Sequence, residues 1–185
     1  DLDKNGVVDQ NDVTQIGKSP YPEWYFSFGG KIAWKGFDLE VLFQGAAGMS
    51  VNILDNKNQV MAFVNNGNAY DIAKGAWAYY PEQGIDTRAT ARYPRLTTQS
   101  NENNYQTSSM WVKNADYLKL RNLELGYNFN ALRLQEAGIE NLRVYLSAQN
   151  LLTFSGLLKN YNMDPEKISG YPTIKSYNVG VSITF

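Results

Sequence analysis

The sequence predicts an all-β chain: the last five antiparallel strands of a transmembrane β-barrel with long extracellular loops. Three observations point there. The terminal stretch alternates strictly, with Tyr177, Val179, Val181, Ile183 and Phe185 on one face and Asn178, Gly180, Ser182 and Thr184 on the other. Such alternation marks a strand, and an aromatic at its end suits the interface girdle of a lipid-facing barrel. Connections between the expected strands alternate between short and long, as barrel turns and loops do. Mean hydropathy is −0.43 and no run of about 18 apolar residues exists, so no helical span is expected, whereas alternating barrel strands average to polar. The closing strand of a soluble β-sandwich would alternate in the same way.

The elements follow in order. Residues 1–22 form a loop segment and 23–185 the barrel segment. The first strand covers about 24–34, with Trp24, Phe26, Phe28, Gly30, Ile32 and Trp34 on one face. Lys35-Gly36 is a two-residue turn, and Phe37, Leu39, Val41 and Phe43 then alternate through a strand at 37–44. Residues 45–115 are a long loop rich in Asn, Gly, Ser, Thr and Tyr, with short helical pieces at 59–64 and 70–79; a loop of this length marks function or disorder. The third strand, 116–129, slips phase between Leu118/Leu120 and Leu123/Leu125/Tyr127, which predicts a bulge near Asn122. A helical turn is expected within 131–141, a strand over 142–149, a Pro/Gly/Asn loop from 150 and a last strand over 175–185. Counting back from a periplasmic C-terminus, 150–173 lies outside, 130–141 inside, 45–115 outside and 35–36 inside. Five strands are too few to close a barrel, whose smallest members have about eight, so a fragment of a larger wall is expected.

Composition narrows the function classes. The net charge of −1 gives no basic field for nucleic acid and no acidic tail. With no Cys there is no disulfide framework, and with neither His nor Cys the Ser/His and Cys/His arrangements cannot form. Carboxylate pairs such as Glu23/Asp38 and Asp164/Glu166 exist, but a chain with 18 acids contains some by chance. Asp164-Pro165 reads as a turn and Glu82 as a loop charge. No enzyme is expected.

Two stretches carry binding chemistry. Asp1, Asp3, Asn5, Asp9 and Asp12, with Gly6 for the sharp turn and the Val7 carbonyl as a further ligand, match the oxygen spacing of an EF-hand-type calcium loop. Val8 would point inward. Asp12 stands where EF-hands place a longer Glu, as in dockerin-type loops, and no helix precedes the loop. The ion's role would be to staple the segment. Trp77, Tyr79 and Tyr80, followed by Pro81, offer flat faces on which a sugar or peptide could stack, or which pack the loop in place; Arg88, Arg92 and Arg95 would hold that loop through carboxylates. Two function classes remain open on these features: a membrane transporter wall, or a soluble calcium-stapled β-sandwich that binds carbohydrate or mediates surface adhesion.

Several stretches occur in a recognisable order: Asp-Lys-Asn-Gly-Val-Val-Asp (3–9), Gly-Phe-Asp-Leu-Glu-Val-Leu-Phe-Gln-Gly (36–45) and Arg-Tyr-Pro-Arg-Leu (92–96). Trp111 and Asn-Ala-Asp-Tyr-Leu-Lys-Leu-Arg-Asn-Leu-Glu-Leu-Gly-Tyr (114–127) follow, then Leu-Arg-Val-Tyr-Leu-Ser-Ala-Gln-Asn-Leu-Leu-Thr-Phe-Ser (142–155), Asp164-Pro165-Glu166 and the terminal strand. Together they resemble the C-terminal end of SusC/RagA-like TonB-dependent outer-membrane transporters of Bacteroidetes. The resemblance implies a parent barrel of about 22 strands with a plug, located in the cell outer membrane. It implies a SusD-like lipoprotein that traps a glycan or peptide, and TonB acting through a plug that this chain lacks. Tyr177, Val181, Ile183 and Phe185 would then be the signal read by the barrel assembly machinery.

Overall fold

A computed structural model describes all residues except 8, 130–133, 135 and 137. Its strands run in chain order as β1 (Trp24–Trp34), β2 (Phe37–Ala47), β3 (Ser50–Asn52), β4 (Tyr79–Tyr80), β5 (Ile85–Asp86), β6 (Val112–Asn114), β7 (Tyr117–Phe129), β8 (Asn141–Ser155) and β9 (Ser176–Thr184). The chain divides into a loop unit (1–20 and 50–114) and a sheet unit (21–49 and 115–185).

The sheet unit is one antiparallel sheet in the order β1-β2-β7-β8-β9. Lys35 and Gly36 have φ of 48° and 89°, the doubly left-handed turn whose twist matches a tight hairpin. The expected phase slip in β7 falls one residue before Asn122: Leu120 pairs with Phe43 and Asn122 with Leu42, so Arg121 is the extra residue. That bulge lets Leu118 and Leu120 share a face with Leu123, Leu125 and Tyr127. β8 runs six residues past the expected 149, because Asn150 takes a left-handed φ of 53° and alternation resumes at Leu152 and Phe154. Asn tolerates that conformation better than most residues, so a residue that reads as a loop start sits inside a strand. Helix α2 (Gly156–Tyr161) follows, capped by the Ser155 hydroxyl accepting from the Leu157 N–H. The helical turn expected within 131–141 falls largely outside the described residues.

The loop unit has its own small core. β3 pairs with β6, and Val51, Ile53, Leu54, Val60 and Ala62 are buried with Trp111. The Trp111 indole N–H donates to the Asn104 carbonyl at 2.9 Å, while Tyr93 and Tyr105 each stack on its ring at 5.7 Å. The expected helical pieces are short: α1 (Lys57–Val60) and a 3₁₀ segment at Asp71–Gly75. What reads as a featureless loop in the sequence is therefore ordered around one tryptophan.

Candidate functional site

Register assigns every strand residue of the large sheet to one of two faces. Gly30, Val41, Leu123, Ala148 and Tyr177 lie in one row, and Ile32, Leu39, Leu125, Leu146 and Val179 in the next. This face is apolar across all five strands. Aromatics gather near the hairpin end (Trp34, Phe37, Tyr127, Phe129) and at the opposite end (Trp24, Phe26, Phe28, Phe43, Phe154), with aliphatics between. Phe37 packs on Tyr127 at 4.6 Å and Phe28 on Phe43 at 5.2 Å. Most of these side chains are exposed. An exposed aliphatic band between aromatic belts is the outer surface of a membrane barrel.

The opposite face is polar and carries two ionic clusters. In the first, Asp38 is buried and accepts from Arg143 and from Asn128 Nδ2 (2.9 Å), while Arg143 also donates to Glu124 at 2.7 Å. Gly126 makes room for this: a Cβ there would lie about 2.5 Å from the Arg143 guanidinium. Gly180 likewise leaves space for the Tyr145 ring, which a Cβ would meet at 2.3 Å.

The second cluster holds the 156–175 connection to the wall. Lys119, 0% exposed, donates through Nζ to Asp164 (2.8 Å), Glu166 (2.6 Å) and Thr173 (3.2 Å). Glu166 also accepts from the Tyr117 hydroxyl at 2.7 Å and from Arg121, the bulge residue. Arg121 reaches Gln44 at 2.7 Å and Asn150 at 2.9 Å. Burial opposes ionisation of Asp164, but the Lys119 ammonium and the backbone N–H groups of Glu166 and Thr173 outweigh it and hold its carboxyl at about 2. Glu166 is lowered in the same way: burial opposes, and Lys119, Tyr117 and Arg121 prevail. The turn at Asp164-Pro165 exists, with the Lys167 N–H on the Asp164 carbonyl at 3.0 Å. Its two acids are, however, more than turn residues. Lys119, Arg121 and Arg143 escaped sequence reading because their partners lie up to 105 residues away; a lysine at an inward position of a strand was the available signal.

At the N-terminus, carboxylate oxygens of Asp1, Asp3 and Asp12 lie within 4.8 Å of one another. Asp12 accepts from the Asp9 and Leu2 N–H groups, which lower its pKa. Asn5 joins through its amide on Asp3 (2.9 Å), and its own oxygen takes the Val7 N–H (2.8 Å). Asp9 instead accepts from the Asn11 N–H at 2.7 Å. Val8 lies outside the described residues. In the loop unit, Tyr79 and Tyr80 pair with Asp86 and Ile85, Arg88 covers the Tyr79 ring at 3.9 Å, and Arg95 lies 5.7 Å from the Trp77 ring. Of the three arginines expected to hold this loop, Arg88 pairs with Asp86 at 2.8 Å; among the described residues Arg92 and Arg95 form no ion pair.

The fold has solved counterparts. The sheet and loop units match the RagAB peptide importer in its open-open state at a TM-score of 0.67 and 26% identity, over 97% of this chain and 19% of that one. The RagAB peptide transporter matches at 0.67 and 28% identity, over 93% of this chain and 18% of that one. By sequence, the whole chain aligns with TonB-dependent receptor P3 of Formosa agariphila at 27% identity. It aligns equally fully with TonB-dependent receptor SusC of Bacteroides thetaiotaomicron, at 28%. The chain is SusC/RagA-like.

No family model matches it. The SusC/RagA-like segment spans 18% of the first of those receptors and 17% of the second, less than a fifth of each. Its five-stranded sheet is a piece of a β-barrel wall, which is why one face is apolar and bare while the other is polar. The relatives are receptors and importers rather than enzymes, in keeping with the expected lack of an active site. Within this SusC/RagA-like wall, Tyr177, Val181 and Ile183 lie exposed on the apolar face of β9, and Phe185, 81% exposed, lies just past its end.

Proposed function

We propose that this chain is the C-terminal wall and loop segment of an outer-membrane TonB-dependent receptor that imports glycans or peptides together with a SusD-like lipoprotein. The observation that carries it is the two-faced sheet: aromatic belts around an aliphatic band on one side, ionic clusters on the other. The apolar face meets outer-membrane lipid and the polar face lines the lumen. Tyr177, Val181, Ile183 and Phe185 on the closing strand serve as the signal for the barrel assembly machinery, and TonB acts through a part of the parent outside this chain. A soluble sandwich is disfavoured, because it would need a second sheet over a face that stands exposed. The test is fractionation of the intact protein, followed by uptake of labelled oligosaccharides and oligopeptides in cells with and without it. Recovery in the outer membrane with loss of uptake of one class on deletion is the expected result. Recovery in the soluble fraction sinks the proposal.

Calcium is the ion the N-terminal loop fits best. Asp1, Asp3 and Asp12 converge, a carboxylate oxygen set suited to a hard cation, and Asn5 would join it only by turning its amide oxygen from the Val7 N–H toward the ion. Asp9 would have to leave the Asn11 amide, or bind through a water, to complete the shell. The expected result is one calcium per receptor by calorimetric titration, in the range of roughly 10⁻⁴–10⁻³ M for extracellular sites, lost in Asp3→Asn/Asp12→Asn. Absence of a calcium-specific heat in the intact receptor removes the site.

A further inference from the structure

The connection from β8 to β9 avoids the shortest route. β8 pairs with β7 from Leu152 to Ser155, whereas β9 begins only at Ser176, opposite Gln149. Within this sheet the β9 side of β8 is therefore open beyond Gln149, yet the chain does not run along it. It turns onto the polar face and reaches back over β8 to β7. Asp164, Glu166 and Thr173 all meet Lys119 there, in a row shared with Gln44 and Thr153. Glu166 also accepts from the Tyr117 hydroxyl and from Arg121, and Arg121 continues to Gln44 on β2. We infer that residues 156–175 form a ledge folded into the lumen. It narrows the barrel at the end remote from the Lys35-Gly36 hairpin and limits the width of what passes, with Lys119 holding it in place.

The ledge is packed as well as tethered. Leu157 and Met163 are 0% and 2% exposed. The Thr173 N–H donates to Asp164 at 3.0 Å, and Asn150 Nδ2 donates to the Ile174 carbonyl at 3.1 Å. A connection standing in solvent above the wall would gain nothing from a lysine buried beneath it, because an ammonium taken out of water carries a cost that its carboxylates must offset. A segment packed on a sheet face stands about 10 Å off it, so the ledge takes roughly that much from the open span in front of β7. Steric exclusion of this kind acts on width and not on chemistry, so it selects no class of cargo.

The inference rests on the receptor reading above, in which the polar face lines the lumen. Asn122→Cys places a thiol on that face beyond the ledge, at an exposed position paired with Gln149, in a chain that has no other Cys. The test treats the intact receptor in whole cells with N-ethylmaleimide and with a maleimide carried on a long polyethylene glycol chain, with the receptor lacking the new thiol as blank. The small reagent should react and the bulky one should be excluded. Adding Lys119→Met should raise the bulky reagent's rate by about tenfold or more, as expected when one side of a buried pair is lost, and leave the small reagent's rate unchanged. Adding Asp164→Leu and Glu166→Gln as well should restore much of the exclusion, because no bare charge is left beneath the ledge. Equal reaction of the two reagents before Lys119→Met, no reaction of the small one, or a bulky rate that Lys119→Met leaves unchanged overturns the ledge. So does a rise for both reagents alike, or exclusion that the further pair of substitutions does not recover. Outer-membrane fractionation keeps the two proposals apart: a receptor found there without size discrimination fails the ledge alone, and one found in the soluble fraction fails the receptor reading.

Discussion

Replacing Lys119 by Met should release the 156–175 connection from the wall while leaving the barrel in place. Lys119 is fully buried, and all three of its ammonium protons are used, on Asp164, Glu166 and Thr173. Its removal leaves two carboxylates packed against a sheet with only Arg121 and Tyr117 to answer Glu166, and no cation for Asp164. Breaking a buried pair from one side costs about 3–5 kcal/mol, which multiplies local opening by roughly two orders of magnitude or more. Limited proteolysis of the intact receptor reads this directly, as cleavage within 156–175 at a rate raised by that factor. Cleavage at the wild-type rate would show that the cluster does not anchor the connection. A variant that also replaces Asp164 by Leu and Glu166 by Gln should recover part of the loss, because no bare charge is left behind.

The same cluster sets a pH dependence. The carboxyl of Asp164 is depressed from 3.8 to about 2 in the folded chain. Its contribution to anchoring is therefore complete above about pH 5, where the unfolded group is also ionised, and is lost progressively as pH falls through about 2. Its size is about 2 kcal/mol. Glu166, lowered from 4.5 in the same cluster, adds to the effect, so protection of the connection should be flat from pH 7 down to about 5.5 and fall progressively below it; a loss of protection already complete at pH 5 would contradict this assignment.

The second large effect is expected from a charge placed on the outer face. Leu146 is 55% exposed and sits between Leu125 and Val179 in the aliphatic band. Leu146→Arg puts a guanidinium against hydrocarbon, a cost of about 2–4 kcal/mol near the bilayer midplane. Ser147→Arg is one residue away but points to the polar face, opposite Glu124, which Arg143 already engages, and Asn178, where an added cation meets polar groups instead of hydrocarbon. Reversible unfolding of the intact barrel in lipid should show the first loss and a change within about 1 kcal/mol for the second. Equal effects at the two positions would mean that the faces are misassigned.

What the sequence by itself determined was local. Period-two alternation located β1, β2 and β9, and Lys35-Gly36 located a hairpin, because strand faces and tight turns are set by neighbouring residues. The phase slip in β7 announced a bulge for the same reason, though not that Arg121 was the residue displaced. The carboxylates at 1, 3 and 12 were signalled by spacing alone, and they converge.

Only the tertiary structure decided the rest, because it depends on partners far apart in the chain. Asp164 and Glu166 read as turn acids until Lys119, 45 and 47 residues earlier, is seen between them. Asp38 became a buried ion only through Arg143, and Gly126 became necessary only because that guanidinium lies across it. β8 passed through Asn150 instead of ending there because β7 continues to pair with it from Leu152 to Ser155, past the point at Gln149 where β9 stops. The segment after β3 read as loop because its order comes from Trp111 and two stacked tyrosines rather than from any repeating pattern. Alternation fixes which way a side chain points; what it meets there is settled only when distant strands are brought side by side.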